Sequence, residues 1–443
     1  MKEINLTEGS IFQKLLRFSL PMIAGNLLQQ IYNLVDTLIV GRYIGADALA
    51  AVGSAYTLMI FITSIIIGLC MGSGAFFSAD FGAGEEGRLR EDIQLSFWFI
   101  LTVSVGIYLL IYPGIGPILR LLHTPPELMG MTRDYVSVVY VGIGFVFLYN
   151  FFSCLLRAMG NSIVPLLFLA VSAGMNIVLD IWFVVGFHMG VGGAAWATVV
   201  AQAASGVGIA VYSLAKLPVL RNKQDYGWNF CRLREIIVND IATGIQQSVM
   251  NFGILMIQGL VNSFGAAIMA AFAAAVKIDT IAYMPAQEFG NAYSLFVSQN
   301  YGAQKTDRIR KGTKIAFLAS ACFCVVISVL IFTFAERLMG VFIDPSEAEI
   351  ITEGARYLRI EGTMYVGIGV LFLWYGYFRG IHRPQISLIL TVISLGTRVA
   401  LSYALAPRPP LGVVAIWCSI PIGWLLADMA GLLFYRRNHF ISE

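Results

Sequence analysis

Asp36 sits near the end of a long apolar stretch, Tyr32-Asn-Leu-Val-Asp-Thr-Leu-Ile-Val-Gly-Arg-Tyr-Ile-Gly45, in which nearly every neighbour is fit for hydrocarbon. A lone charge in such a setting costs about 2.5 to 3.5 kcal/mol on the more lenient insertion scale, so Asp36 must face a protein or water-filled interior, be protonated, or both. A second interior carboxylate, Asp180, lies in a later apolar stretch, and Asn176 precedes it by four residues, one helical turn away on the same face. Thr198 lies some eight residues into the following stretch. Two carboxylates, an amide and a hydroxyl form an all-oxygen set suited to a proton or to a hard cation such as Na⁺. Two facing carboxylates titrate as one unit. Protonation removes a charge from the wall of a cavity, a cationic substrate competes with the proton for that charge, and the result is antiport. The bland alternative is that Asp36 and Asp180 are hydrogen-bonded residues that steady helix packing.

The elements that position these residues follow from composition. Of 443 residues, 58% are hydrophobic and only 12% charged, with a mean hydropathy of +0.76; soluble domains carry about 25% charged residues. The chain is an all-α polytopic membrane protein. Its net charge of +3 is too small to imply a nucleic-acid partner. The six cysteines (70, 154, 231, 322, 324 and 418) are scattered through apolar segments without metal-ligand spacing, so they act as small hydrophobes. Residues 1 to 14 have the character of a short tail rather than a cleavable signal peptide.

Apolar windows of bilayer-spanning length occur near 15–40, 48–80, 92–112, 131–156, 163–186 and 190–215, then near 236–262, 267–299, 314–334, 355–378, 385–405 and 411–435. These twelve spans divide into an amino lobe (1–215), a polar inter-lobe loop (216–235) holding Lys216, Arg221, Lys223, Arg232 and Arg234, and a carboxyl lobe (236–443). With alternating spans, 20 of the 29 Lys and Arg fall on the side of both termini and the loop, which predicts cytoplasmic termini in a cell membrane. In that topology Asp36, Asp180 and Thr198 share the outer half of the bilayer, Asp180 lying ~9 Å from its exit near Gly186.

The lobes repeat one another. Phe81-Gly82-Ala83 with Arg88 and Arg90 returns as Tyr301-Gly302-Ala303 with Arg308 and Arg310, an offset of 220. Tyr135 and Arg157 return as Tyr357 and Arg379, and Trp196 as Trp417. Six spans per half predict parallel repeats with a substrate cavity between them and alternating access by rocking.

In the carboxyl lobe the polar candidates are Lys277 and Asp279 in span eight and Arg398 in span eleven, with Glu288 and Asp428. Lys277 and Asp279 are too close in sequence to face each other, so each needs a partner on another helix. The run Phe372, Trp374, Tyr375, Tyr377 and Phe378 either lines a cavity for planar cations or packs as core. Pro21, Pro165, Pro285 and Pro421 are candidate kink sites.

Along its whole length the chain resembles the MATE (multidrug and toxic compound extrusion) transporters, and among them the DinF-like branch. The resemblance is carried by Ser19-Leu20-Pro21, Asn33 to Thr37 with Val40-Gly41, Phe81 to Gly84, Arg157 to Asn161, Asn176 to Asp180, Gly192 to Ala195, Lys277 to Asp279 ahead of Pro285, and Gln299 to Ala303. It implies a V-shaped fold of two pseudo-symmetric six-helix bundles that exports amphipathic, often cationic, organic compounds against H⁺ and/or Na⁺, without a cofactor. It also implies an amino-lobe cation site at Asp36, Asn176, Asp180 and Thr198, with Gln29 and Asn150 as further polar contacts. The NorM-like branch adds carboxylates in spans seven and ten, where this chain has Leu255-Met256-Ile257 and Trp374-Tyr375. A chain of this size can work as a monomer.

Two other classes compete. An intramembrane aspartyl protease would carry Gly-x-Gly-Asp around one acid, but Asp180 follows Val178-Leu179, which argues against an enzyme. A flippase for a lipid-linked precursor is the nearer alternative. It calls for a cationic cavity, whereas only Lys277 and Arg398 are intramembrane cations here.

Overall fold

The computed structural model describes residues 4–121, 124–221, 229–408 and 411–437. Lys2, Lys223 and residues 222–228 of the expected inter-lobe loop lie outside them. Among the described residues there is no strand. The first half runs α1 (Ile11–Tyr43), α2 (Ala46–Ala83), α3 (Glu86–Ile111), the short α4 (Ile115–Leu121), α5 (Met129–Val141), α6 (Ile143–Ala158), α7 (Ile163–Asp180) continued by a π-helical turn (Ile181–Gly186), α8 (Gly190–Lys216) and the short α9 (Pro218–Arg221). The second half runs α10 (Phe230–Asn262), α11 (Ala266–Gly302), α12 (Thr306–Met339), α13 (Ala348–Gly362), α14 (Tyr365–Gly380), α15 (Pro384–Leu405) and α16 (Gly412–Arg437).

Every expected window is occupied by one helix or a broken pair. Eight of the described helices are long and apolar enough to cross a membrane alone, and α5 with α6, bent by 45°, makes a ninth span. The other three windows hold α1, α10 and the pair α13 and α14. Pro21, Pro285 and Pro421 lie inside continuous helices, and Pro165 lies in the first turn of α7. All six cysteines are free.

The backbone repeats with the same period as the motifs. Helix α2 starts at Ala46 and α11 at Ala266; α3 starts at Glu86 and α12 at Thr306; α7 starts at Ile163 and α15 at Pro384. Left-handed residues also recur in pairs, Gly45 with Gly265, Gly84 with Gln304, Gly160 with His382, and Gly190 with Gly412. Turns demanding the same unusual φ at matched positions are a sign of duplication independent of side-chain identity. Packing has diverged nonetheless. Trp417 is fully buried between Phe272 and Tyr357, with ring centroids 5.4 and 4.8 Å away, whereas its repeat partner Trp196 is 41% exposed.

Two compact units result, Met1–Asn5 with Leu20–Gly244, and Leu6–Ser19 with Ile245–Glu443. The divisions fall ahead of α1, inside α1 and inside α10 rather than in the expected loop at 216–235. In the first unit, the start of α10 is held by Arg232. Its guanidinium donates twice to Asp92, at 2.8 and 2.6 Å, and once to Asp80 at 3.4 Å, and it lies over the Phe76 ring. Further along, Ser73 donates to Asp240 at 2.5 Å, and α10 approaches α2 so closely that a Cβ at Gly68 would lie 2.5 Å from the Gly244 Cα. In the second unit, the segment before α1 is clasped by α11 and α12. The Leu6 N–H donates to Gln299 at 3.0 Å, and Arg308 donates to the carbonyls of Leu6, Glu8 and Gly9 at 3.2, 2.7 and 2.9 Å.

Candidate functional site

Within the first unit, α1 and α7 bring Asp36 and Asp180 together. Their carboxylates lie within hydrogen-bonding reach of each other. Asp180 is fully buried and Asn176 is 3% exposed, one turn earlier on the same helix. The Asn176 amide donates to the Thr198 hydroxyl of α8 at 3.4 Å, and that hydroxyl donates to the Ala194 carbonyl at 3.1 Å. All four residues therefore belong to one cluster.

The oxygens of this cluster are under-supplied with donors. Asp36 Oδ1, both Asp180 oxygens and Asn176 Oδ1 are buried without a hydrogen-bond partner. Among the described residues no Lys, Arg or His pairs with Asp36 or Asp180. In its chemistry this set of hard oxygens fits either a proton or Na⁺. Immediately after Asp180 the helix widens into the π-helical turn 181–186, a distortion often found beside functional residues. Trp182, Phe183 and Phe187 stack along that turn.

Tyr135 of α5, 8% exposed, stands beside both carboxylates, and Tyr32, one turn before Asp36, stands beside Asp36. Neither was singled out for this role from sequence, although the Tyr135 and Tyr357 repeat match marked the first position. Gln29 is exposed and hydrogen-bonds to Tyr32. Asn150 donates to the Val146 carbonyl of its own helix at 2.8 Å.

The second unit holds a different cluster. The Tyr365 hydroxyl donates to Asp279 at 2.6 Å, Glu361 lies within hydrogen-bonding reach of Asp279, and Arg398 stands close to both acids. Asp279, Glu361 and Arg398 line a cavity of ≈ 80 Å³ together with Tyr283, Phe372 and Trp424. That is room for a few waters or an inorganic ion, far below the several hundred Å³ of a drug-sized site. Glu361 escaped the sequence analysis because α13 looks like a surface helix, with Glu349, Glu353, Arg356 and Arg359 around it. Lys277, by contrast, is exposed and has no part in this cluster. A residue two positions from a buried one points elsewhere on a helix. Glu288 accepts from Asn291 at 3.3 Å, and Asp428 Oδ1 is buried without a partner. In the aromatic run, Phe372 and Tyr375 line the cavity while Trp374, Tyr377 and Phe378 pack as core around Tyr435.

The family model described as MatE matches residues 21–182 and again residues 242–404, the two halves of the repeat. The probable multidrug resistance protein YpnP of Bacillus subtilis is 29% identical, covering 99% of this chain and 98% of that protein. The probable multidrug resistance protein NorM of Thermotoga maritima is 24% identical over 96% of this chain and 92% of its own length. Among solved structures, the outward-facing conformation of a multidrug resistance MATE family transporter superposes with a TM-score of 0.93 at 24% identity, covering 100% of this chain and 99% of the other.

Proposed function

Because the chain belongs to the MatE family of membrane transporters, we propose that it is an antiporter that exports amphipathic, often cationic, organic compounds in exchange for H⁺ and/or Na⁺. The coupling ion binds at Asp36 and Asp180, with Asn176 and Thr198 completing the set. The observation that carries this proposal is the meeting of Asp36 and Asp180 with buried, unpartnered oxygens and, among the described residues, no fixed cation.

The cycle follows from that charge balance. With the ion bound, the pair is neutralised and the helices carrying it pack as an apolar wall. When the ion leaves, two negative charges face each other in a medium that screens them poorly, and the pair must take up another cation or separate. An organic cation entering the lobe competes for the same charge. Occupancy thus switches between ion and substrate, and the switch is read by α1 and α7, which hold one acid each. The positive-inside asymmetry supports cytoplasmic termini in a cell membrane, so extrusion would run from the cytoplasm outward while the ion enters.

Purified protein in proteoliposomes, loaded with an ethidium-like dye and given an H⁺ or a Na⁺ gradient separately, tests the proposal. Dye movement driven by at least one gradient is expected. Equal movement with neither gradient imposed would overturn the coupling.

A further inference from the structure

The first unit carries another concavity, at the opposite end of the bundle from the acid pair. Helix α3 begins at the end where α2 finishes, whereas Asp180 closes α7 at the other end. The concavity has a volume of ≈ 360 Å³ and is a groove between α3, α6, α8 and α9. Its walls are Phe97, Trp98, Phe152 and Leu214; its mouth is formed by Arg90 and Val219.

Three observations specify an occupant. The groove opens on the outside of the span, since Trp98 is 48% and Leu214 53% exposed and only 28% of the α3 span is buried. Whatever fills it must therefore be at home in a bilayer. The mouth is cationic. Arg90 uses its Nε to donate to the Val219 carbonyl at 2.7 Å, which fixes the guanidinium at the rim, and among the described residues it has no carboxylate partner. Lys216 and Arg221, both exposed, flank the short segment that carries Val219. Finally, the distance is right. Trp98 lies eight residues beyond Arg90, ~12 Å along the helix, so a head held at Arg90 places the upper part of its chain against the aromatic wall.

We propose that this groove binds one anionic phospholipid, its headgroup phosphate on Arg90 between Lys216 and Arg221, and one acyl chain along Phe97, Trp98, Phe152 and Leu214. A guanidinium whose terminal nitrogens have no partner among the described residues is suited to phosphate oxygens, and basic rims at helix ends attract anionic lipid. Such a lipid would cement α3 to α8 and α9 independently of ion coupling, so the site stands apart from the export proposal.

Tryptophan quenching tests it. The intact protein is reconstituted with brominated-chain phosphatidylglycerol or with phosphatidylcholine bearing the same chains, and the Trp98 signal is isolated as the difference between wild type and Trp98→Phe. The anionic lipid should quench Trp98 at a roughly three-fold or more lower mole fraction. Arg90→Gln should erase that preference and Arg90→Lys should keep part of it. If Arg90→Gln does not elute as a folded protein, Lys216→Gln with Arg221→Gln should weaken the preference in the same direction. Equal quenching by the two lipids, a preference unchanged by these substitutions, or quenching relieved by an export substrate would each overturn the assignment.

Discussion

Tyr135 and Tyr357, 222 residues apart in the chain, each stand beside a pair of carboxylates, Asp36 with Asp180 in one unit and Asp279 with Glu361 in the other. The same offset separates Asn176 from Arg398. A neutral amide therefore serves the first pair where a guanidinium serves the second. Among the described residues the first pair has no built-in counter-charge. The second carries its own. Duplication supplied two similar frames, but the acids stand at unmatched positions, since offsets of 220 and 222 carry Asp36 and Asp180 to Met256 and Ser402, and the two clusters differ in charge balance.

Asp36→Asn should abolish gradient-driven efflux while leaving insertion intact. The amide is nearly isosteric but cannot cycle between charged and neutral forms. Dye efflux from proteoliposomes should fall at least tenfold, to the level of empty liposomes, with an unchanged elution profile in detergent. Efflux at the original rate would remove Asp36 from the mechanism.

Asp180→Asn should behave differently, because Asp36 still ionises but no longer has a second carboxylate to share its proton. Severe loss of transport, or a change in which ion gradient drives it, is expected when H⁺ and Na⁺ gradients are compared side by side. Unchanged rates under both gradients would argue against pairing between the two acids.

How far the sequence discloses this arrangement depends on whether a residue's signal is local. Asp36 is conspicuous because its neighbours are apolar, and Asn176 and Asp180 because four residues make one turn. The twelve windows and the repeat are legible for the same reason. Glu361 is not, since its own helix is rich in charge and only Asp279 and Tyr365, brought by other helices, reveal it as interior. Arg232 was seen only as one loop cation among five. Its partners Asp80 and Asp92 are 152 and 140 residues away, and no periodicity links them. Lys277 shows the converse, a charge within an apolar window that is exposed rather than part of the Asp279 cluster.

Arg232→Ala should be among the most destabilising substitutions in the first unit. It removes a bidentate partner from Asp92, which is fully buried, and leaves Asp80 facing it. Breaking a buried pair from one side costs about 3–5 kcal/mol. Thermal unfolding in detergent should show a clearly lowered Tm. Arg232→Lys should not restore it, because an ammonium cannot reproduce the two-pronged contact. Glu235→Ala, which removes only an exposed arm of the network, should move the Tm little.

Gly160→Ala should destabilise the junction before α7. Gly160 has φ +86°, and a Cβ there would lie 2.3 Å from the Ile4 carbonyl oxygen, the residue whose N–H donates to Gly160 at 3.0 Å. The left-handed backbone alone costs about 1–2 kcal/mol for a residue with a Cβ, and the overlap expels Ile4 as well. Limited proteolysis near the amino terminus should accelerate in the variant, and equal protection in both proteins would show that this contact is dispensable.

Arg398→Gln and Glu361→Gln together examine the self-compensated cluster. Removing the guanidinium leaves Asp279 and Glu361 facing each other with the Tyr365 and Tyr357 hydroxyls as donors but no cation to balance them, so Arg398→Gln alone should lower the Tm. Glu361→Gln removes one of the two acids that Arg398 balances. Added to Arg398→Gln, it takes away the repulsion that substitution exposed and should return much of the lost stability. Such recovery is a coupling between contacting residues, of the kind that runs from about 0.5 to 3 kcal/mol. If the two losses simply add, Arg398 does not neutralise Glu361, and the contrast between the two acid pairs fails with it.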